Sequence, residues 1–248
     1  MKRNLISVFR ITSAALIVVF LNSCIIVNLF DFNAEAGRGA PETYEFKVGQ
    51  YNGIKVNSSC DIRYYSAASD TVTLSVQPNL REFYIIEVKN NDLTIRTTKR
   101  IRHNSASNPV LTVSAPELNR LIINGACNFI SMDKIISDSL EINFTGAGDS
   151  RAEIDVKSLS VDISGAGRLL LSGKADSANF DMDGAGEVDA LSLLTRETKI
   201  KFSGAGALKV NCSEKLSIDA DGLGSVAYRG NPSVSLNRNG LVDIKQIY

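Results

Sequence analysis

GAGDSRAEIDVKSLSVDISGAGRLLLSGKADSANFDMDGAGEVDALSLLTRETKIKFSGAGALKVNCSEKLSIDADGLG, residues 146–224, repeats a small-residue triplet at near-constant spacing. The triplets are Gly146-Ala147-Gly148, Gly165-Ala166-Gly167, Gly184-Ala185-Gly186, Gly204-Ala205-Gly206 and Gly222-Leu223-Gly224. Their first glycines step by 19, 19, 20 and 18 residues, with weaker echoes at Gly125-Ala126-Cys127 and Asn239-Gly240. A fixed period of this size marks a stacked repeat architecture.

Between triplets, apolar and polar residues alternate, as in Ser139-Leu-Glu-Ile-Asn-Phe-Thr145 and Ser158-Leu-Ser-Val-Asp-Ile-Ser164. That is the period-2 signature of a strand with one buried face. The alternation resumes after each triplet, at Leu169 and Leu171, Val188 and Ala190, Leu208 and Val210. Each repeat therefore reads as strand, glycine corner, strand, second turn. No repeat holds an apolar stripe long enough for a helix, which argues against leucine-rich and helical solenoids. The expected fold is all-β: a single-stranded parallel β-helix, or β-solenoid, of six or seven coils, with equivalent strands pairing about 4.8 Å apart. Leu140, Val161, Phe180, Ile200 and Leu216 fall near matching places and are expected to form aliphatic ladders. The corner glycines have two structural explanations, positive φ and the crowding of stacked backbone. A phosphate cradle is the weaker reading, because no helix follows the triplets.

The Gly-Ala-Gly corners, Leu121-Ile-Ile-Asn-Gly-Ala126, Phe46-x-Val48 and Gly53-Ile54-Lys55-Val56 together resemble the bacterial family described as putative auto-transporter adhesin, head GIN domain. The resemblance spans about Tyr44 to Arg229. It implies a right-handed β-helix, a hand that the rule for parallel crossovers also favours, and export to the cell envelope. It carries over no catalytic residue. Cys60 and Cys127 depart from the pattern by standing at corners where other repeats hold glycine.

Residues 1–23 open with Lys2 and Arg3, carry an apolar run from Ile11 to Phe20, and end in Leu21-Asn22-Ser23 before Cys24. This reads as a signal peptide with a lipobox-like end and Cys24 as the lipidation site. The competing reading is an uncleaved anchor, since Ile11–Phe30 is long enough to span a bilayer. Residues 24–43, with Gly37, Gly39 and Pro41, are expected to be a lipid-anchored tether. Residues 44–248 are the solenoid, divided into irregular first coils and cap (44–116) and regular coils (117–248). The irregular part offers Gly53–Val56, Asp61–Tyr65, Thr71–Val76, Phe83–Lys89, Asp92–Thr97 and Val110–Val113 as strands, with Asn90-Asn91 joining a hairpin. Cleavage before Cys24 leaves 24 basic against 27 acidic side chains. A mildly acidic surface without a basic patch argues against nucleic-acid binding.

The remaining candidates are few. Cys60 and Cys127 share one corner position, so in adjacent coils their Cα atoms would lie about 5 Å apart, within disulfide reach in an exported protein; the alternative is two buried small hydrophobes. Cys212 has no partner, and three thiols without ligand spacing make no zinc site. The single histidine, His103, stands in a basic loop, Lys99–Ser105, which reads as solvated but could touch anionic head groups. Asp181 with Asp183, and Asp219 with Asp221, recur at one phase two coils apart and could gather calcium. Lys201 and Ser203 interrupt that row, so solvated carboxylates are the default. Tyr64, Tyr65, Phe83 and Tyr84 are expected to fill the cap rather than stack on sugars. No catalytic set, metal site or cofactor is expected. The expected function is a non-enzymatic envelope lipoprotein that presents an adhesin-like sheet face to a glycan or envelope protein. A glycan-active enzyme using the Asp181–Asp221 face and a self-associating structural component are the alternatives.

Overall fold

The computed structural model describes residues 34–102 and 108–248. Residues 1–23, expected to be a signal peptide, and Cys24 and His103 lie outside the described residues. In chain order come β1 (Glu35–Ala36), β2 (Glu42–Lys47), β3 (Gly53–Asn57), β4 (Cys60–Tyr65), β5 (Thr71–Val76), a 3₁₀ turn at Pro78–Phe83, β6 (Tyr84–Lys89), β7 (Asp92–Thr97), β8 (Ile101–Arg102) and β9 (Val110–Ser114). Then follow β10 (Arg120–Ile123), β11 (Cys127–Ser131), β12 (Ile135–Phe144), β13 (Ala147–Ile163), β14 (Ala166–Met182), β15 (Glu187–Phe202), β16 (Ala205–Ala220), β17 (Leu223–Arg229), β18 (Ser233–Arg238) and β19 (Leu241–Gln246).

From Arg120 onward the chain winds as a parallel β-solenoid of about seven turns, each pairing with the next in sequence order. The long strands each bend at a second corner, where two successive residues face outward: Lys157-Ser158, Asp176-Ser177, Arg196-Glu197. That slip in the alternation turns the apolar side chains of the next segment back into the same core. Two neighbouring ladders fill one wall: Leu140, Leu159, Ala178, Thr198, Leu216, and Ile142, Val161, Phe180, Ile200, Ile218. Leu140, Val161, Phe180, Ile200 and Leu216, expected at matching places, thus belong to two rows two residues apart, which the shared coil period does not distinguish. Each fully buried Leu, Ile or Phe contributes about 1.5–3 kcal/mol through removal from water.

The irregular N-terminal region supplies coils and a cap, but not in the order of the chain. Gly53 of β3 pairs with both Asp92 of β7 and Arg120 of β10, and β4 lies between β9 and β11. The chain therefore starts one layer in, makes the outermost turn with β7 and β9, then returns across β3 and β4 to begin the regular coils. This detour leaves antiparallel strands on the outside. β6 folds onto β7 through Asn90 (φ 52) and Asn91 (φ 64), the expected hairpin, while β5 covers β9 and β2 covers β5. Antiparallel covering of that kind blunts the edge a parallel stack would otherwise expose. Within the stretch expected to be a tether, Glu35–Ala36 pairs with Ile101–Arg102 and the Arg38 N–H donates to Asn79 Oδ1 (2.8 Å), so its last part belongs to the folded unit.

Candidate functional site

The coil lengths of 20 and then 18 residues mark where the regular stack is disturbed. Register with β14 shifts between Leu170 and Ser172, so β15 carries an extra residue there. Against β16, Ala190 pairs with Val210 but Leu194 with Asn211, so Leu191-Ser192-Leu193 arches away from the ladder. The arch is tied down locally: the Leu191 N–H donates to Asp189 Oδ1 (3.2 Å), and Asn211 Nδ2 donates to the Leu191 carbonyl (3.2 Å). Below it, Thr195 and Thr198 hydroxyls meet at 2.6 Å inside the core, with Thr195 Oγ1 also bonded to the Asn211 carbonyl (2.8 Å). Leu193 is buried by the bulge, and Leu194 is turned outward at 52% exposure.

Leu194 belongs to the cross-coil row Ile136, Asp155, Lys174, Leu194. Along this row runs a groove of about 690 Å³, floored by Val156, Ala175 and Thr195 and flanked by Ile136 (61% exposed) and Leu194. Its rims are charged: the three cations are paired across coils, while Glu117 and Asp176 line it without an ion pair among the described residues. Lys157 bonds Asp138 (2.8 Å), Lys174 bonds Asp155 (3.2 Å), and Arg196 bonds Glu214 (2.9 Å), each pair bridging adjacent coils. The hydrogen bond from Lys157 to Asp138 raises the lysine's pKa above its usual 10.5 and holds it as a cation. The result is a mixed trough: Ile136 and Leu194 stand at its two ends, and the Asp155–Lys174 pair lies between them in the same row. Sequence reasoning missed it. The available signals were the 20-then-18 step and the doublets Ile135-Ile136 and Leu193-Leu194, which break strict alternation.

The other candidates separate under the geometry. The corner glycines are explained mainly by crowding. A Cβ on Gly146, Gly165, Gly184, Gly204 or Gly222 would sit on the carbonyl oxygen of the first corner glycine one coil back. Gly148, Gly167, Gly186, Gly206 and Gly224 meet the carbonyl at the third corner position in the same way. Of these ten, only Gly148 (φ 136) and Gly224 (φ 144) occupy the left-handed region, so positive φ is the lesser cause. Cys60 and Cys127 are directly paired in register, with sulfurs 3.3 Å apart and both thiols free and buried. The Cys60 pKa is pushed well above 9, first by its hydrogen bond to Cys127 and then by burial. Cys212 is buried with its thiol on the Lys215 carbonyl (3.1 Å). Lys201 stands in register between Asp181 and Asp219, bonding Asp181 at 3.4 Å, so the acidic face is split. Tyr64 and Tyr84 are buried, and Phe83 packs against the core beneath the Lys99 ammonium (4.5 Å). No helix among the described residues is long and apolar enough to cross a membrane.

Corner glycines, parallel coils and an antiparallel cap together define a class of capped single-chain β-solenoids. Within it, the chain belongs to the family described as putative auto-transporter adhesin, head GIN domain, whose model matches residues 50–232. No curated protein matches it. Among solved structures it is similar to a putative adhesin from Bacteroides fragilis, with a TM-score of 0.81, 24% identity, and coverage of 86% of this chain and 99% of that one. It also resembles a putative adhesin from Parabacteroides merdae (TM-score 0.67, 19% identity, 87% and 100% coverage). A third is a putative lipid binding protein from Parabacteroides distasonis (0.67, 21%, 86% and 99%). At these identities the likeness is one of fold.

Proposed function

We propose that the protein is a non-enzymatic, adhesin-like recognition module of the cell envelope whose contact surface is the corner groove. The observation that carries this reading is the exposure of Ile136 and Leu194 at the two ends of a groove floored by Val156, Ala175 and Thr195, with its three cations already paired across coils. Family membership and the names of the similar structures support it. The ligand is an envelope molecule with an aliphatic portion that the trough takes out of water. In the same reading Cys24 is acylated after export, and Cys60 and Cys127 are closed into a disulfide by thiol–disulfide exchange with an oxidised dithiol in that compartment. Mass spectrometry of the mature protein reads both modifications; a retained leader, or hydrogen-bearing sulfurs on Cys60 and Cys127, counts against them.

Leu194→Asp tests the groove. Leu194 is half exposed, so the fold should survive the change. Loss of one buried leucine contact weakens binding about ten- to a hundredfold. The measurement is displacement of a fluorescent fatty acid by envelope lipids and glycolipids, with released sugar assayed in the same wells. Binding by wild type that Leu194→Asp loses, without release, is the expected result. Sugar released in proportion to protein would replace this reading with the enzymatic one.

A further inference from the structure

The two ends of the solenoid are built differently. One is closed by antiparallel β2, β5 and β6. At the other, β18 pairs with β16 and β19 with β17, and among the described residues neither strand pairs on its outer edge. The side chains there continue the core ladders with nothing stacked on them. Val234 and Leu236 are in register with Leu216 and Ile218, which are each 1% exposed, yet they stand at 41% and 51%. The final coil thus combines free backbone donors and acceptors with exposed apolar side chains, the combination that templates strand addition.

We propose that this open end is a dimerisation surface whose occupant is a second copy of the chain, docked end to end about a twofold axis. In that arrangement β18 and β19 each run antiparallel to their own copies. Centring β18 on Ser235 sets Val234 opposite the partner's Leu236 twice, and keeps apolar residues on the inner face. Centring β19 on Ile244 sets Asp243 opposite the partner's Lys245, again twice. Asp243 and Lys245 are both exposed and, within one chain, only approach to 4.0 Å, so both remain available for the cross-chain pairs. Charge complementarity thus favours the antiparallel, isologous contact. The opposite end presents antiparallel β2 and β6 in place of a parallel coil, so head-to-tail stacking would not continue the ladder, and the isologous contact closes at two.

The test is sedimentation velocity of the full chain in detergent across a concentration series. The expected result is a reversible dimer that Asp243→Lys or Lys245→Asp weakens roughly tenfold or more, since each reversal turns two cross-strand attractions into repulsions. The double reversal Asp243→Lys with Lys245→Asp restores it. Ser235→Cys should form a disulfide-linked dimer, whereas Ser217→Cys, the outward residue one coil inward, should not. A chain monomeric at every concentration overturns the proposal. So does a dimer indifferent to the charge reversals with Ser235→Cys no better linked than Ser217→Cys, which would place association elsewhere, such as the N-terminal apolar segment.

Discussion

At each glycine corner the backbone of one coil rests on the backbone of the last. The Gly165 carbonyl accepts from the Ala185 N–H at 3.0 Å, as Gly146 does from Ala166 and Gly184 from Ala205. This ladder continues the sheet through the bend, which is why the first position excludes even a methyl group while the middle alanine faces water. Gly184→Ala places its Cβ on the Gly165 carbonyl and should destabilise by about 1–3 kcal/mol or more, because stacked backbone has no flexible end to move aside. Ala185→Ser, one residue on and exposed, should change stability by no more than about 0.5 kcal/mol. Urea denaturation of the two variants separates these costs, and equal midpoints would show that crowding is not what keeps glycine there. The triplets were legible in the sequence because this demand is local and recurs every coil. Its dominant cause was less so: Gly-Ala-Gly reads equally well as positive φ or as close approach, and only neighbouring coils distinguish them.

Strands in successive coils are joined on their outer faces by ion pairs that cross coil boundaries. Glu187 of β15 takes Arg168 from the coil below (3.2 Å) and Lys209 from the coil above (2.9 Å), and Lys209 also reaches Asp189 (3.6 Å). The Lys209 hydrogen bond is the main reason the Glu187 pKa lies below 4.5, and the same bond raises that of Lys209. For a carboxyl depressed on folding, the stabilisation is present above its unfolded value and disappears as pH falls through the folded one. Thermal unfolding of Glu187→Gln should therefore match wild type well below pH 4.5 and fall behind it above, by at most about 1 kcal/mol for so solvated a group. A gap that persists at low pH would assign the difference to packing. Most strands followed from alternation, and the β6–β7 hairpin from the turn dipeptide Asn90-Asn91, whereas β1, β2 and β8 gave no such signal. The inward start of the chain did not, because β3, β4, β7 and β9 lack the triplets that would order them, and pairing 67 residues apart leaves no periodic trace. The groove was hidden for a related reason: its floor and flanks come from separate coils and become neighbours only once the bulge at Leu191–Leu193 sets the register.

A solenoid is a stack in which each coil touches only its neighbours, so stability is a sum of coil and interface contributions, and the ends open first. Here the ends are unequal. Leu80, Tyr84 and Val72 are buried in the capped end, whereas every residue of β18 is exposed and β19 buries only Val242. Amide exchange of the dilute chain should accordingly be fastest in residues 233–246, slower in β17, and slowest in β13–β15, where strands pair on both edges along most of their length. The gradient should be lopsided, with β3 and β4 protected far better than β17 although both lie near an end. Self-association adds a further condition: raising the protein concentration slows exchange at β18 and β19 while leaving β7 and β9 unchanged, because only the open end gains a partner strand. Concentration-independent exchange there would leave that end solvated at all times and remove the dimer. Exchange no faster in 233–246 than in β14 would go further, requiring the whole stack to open as one cooperative unit rather than fray from its uncovered coil.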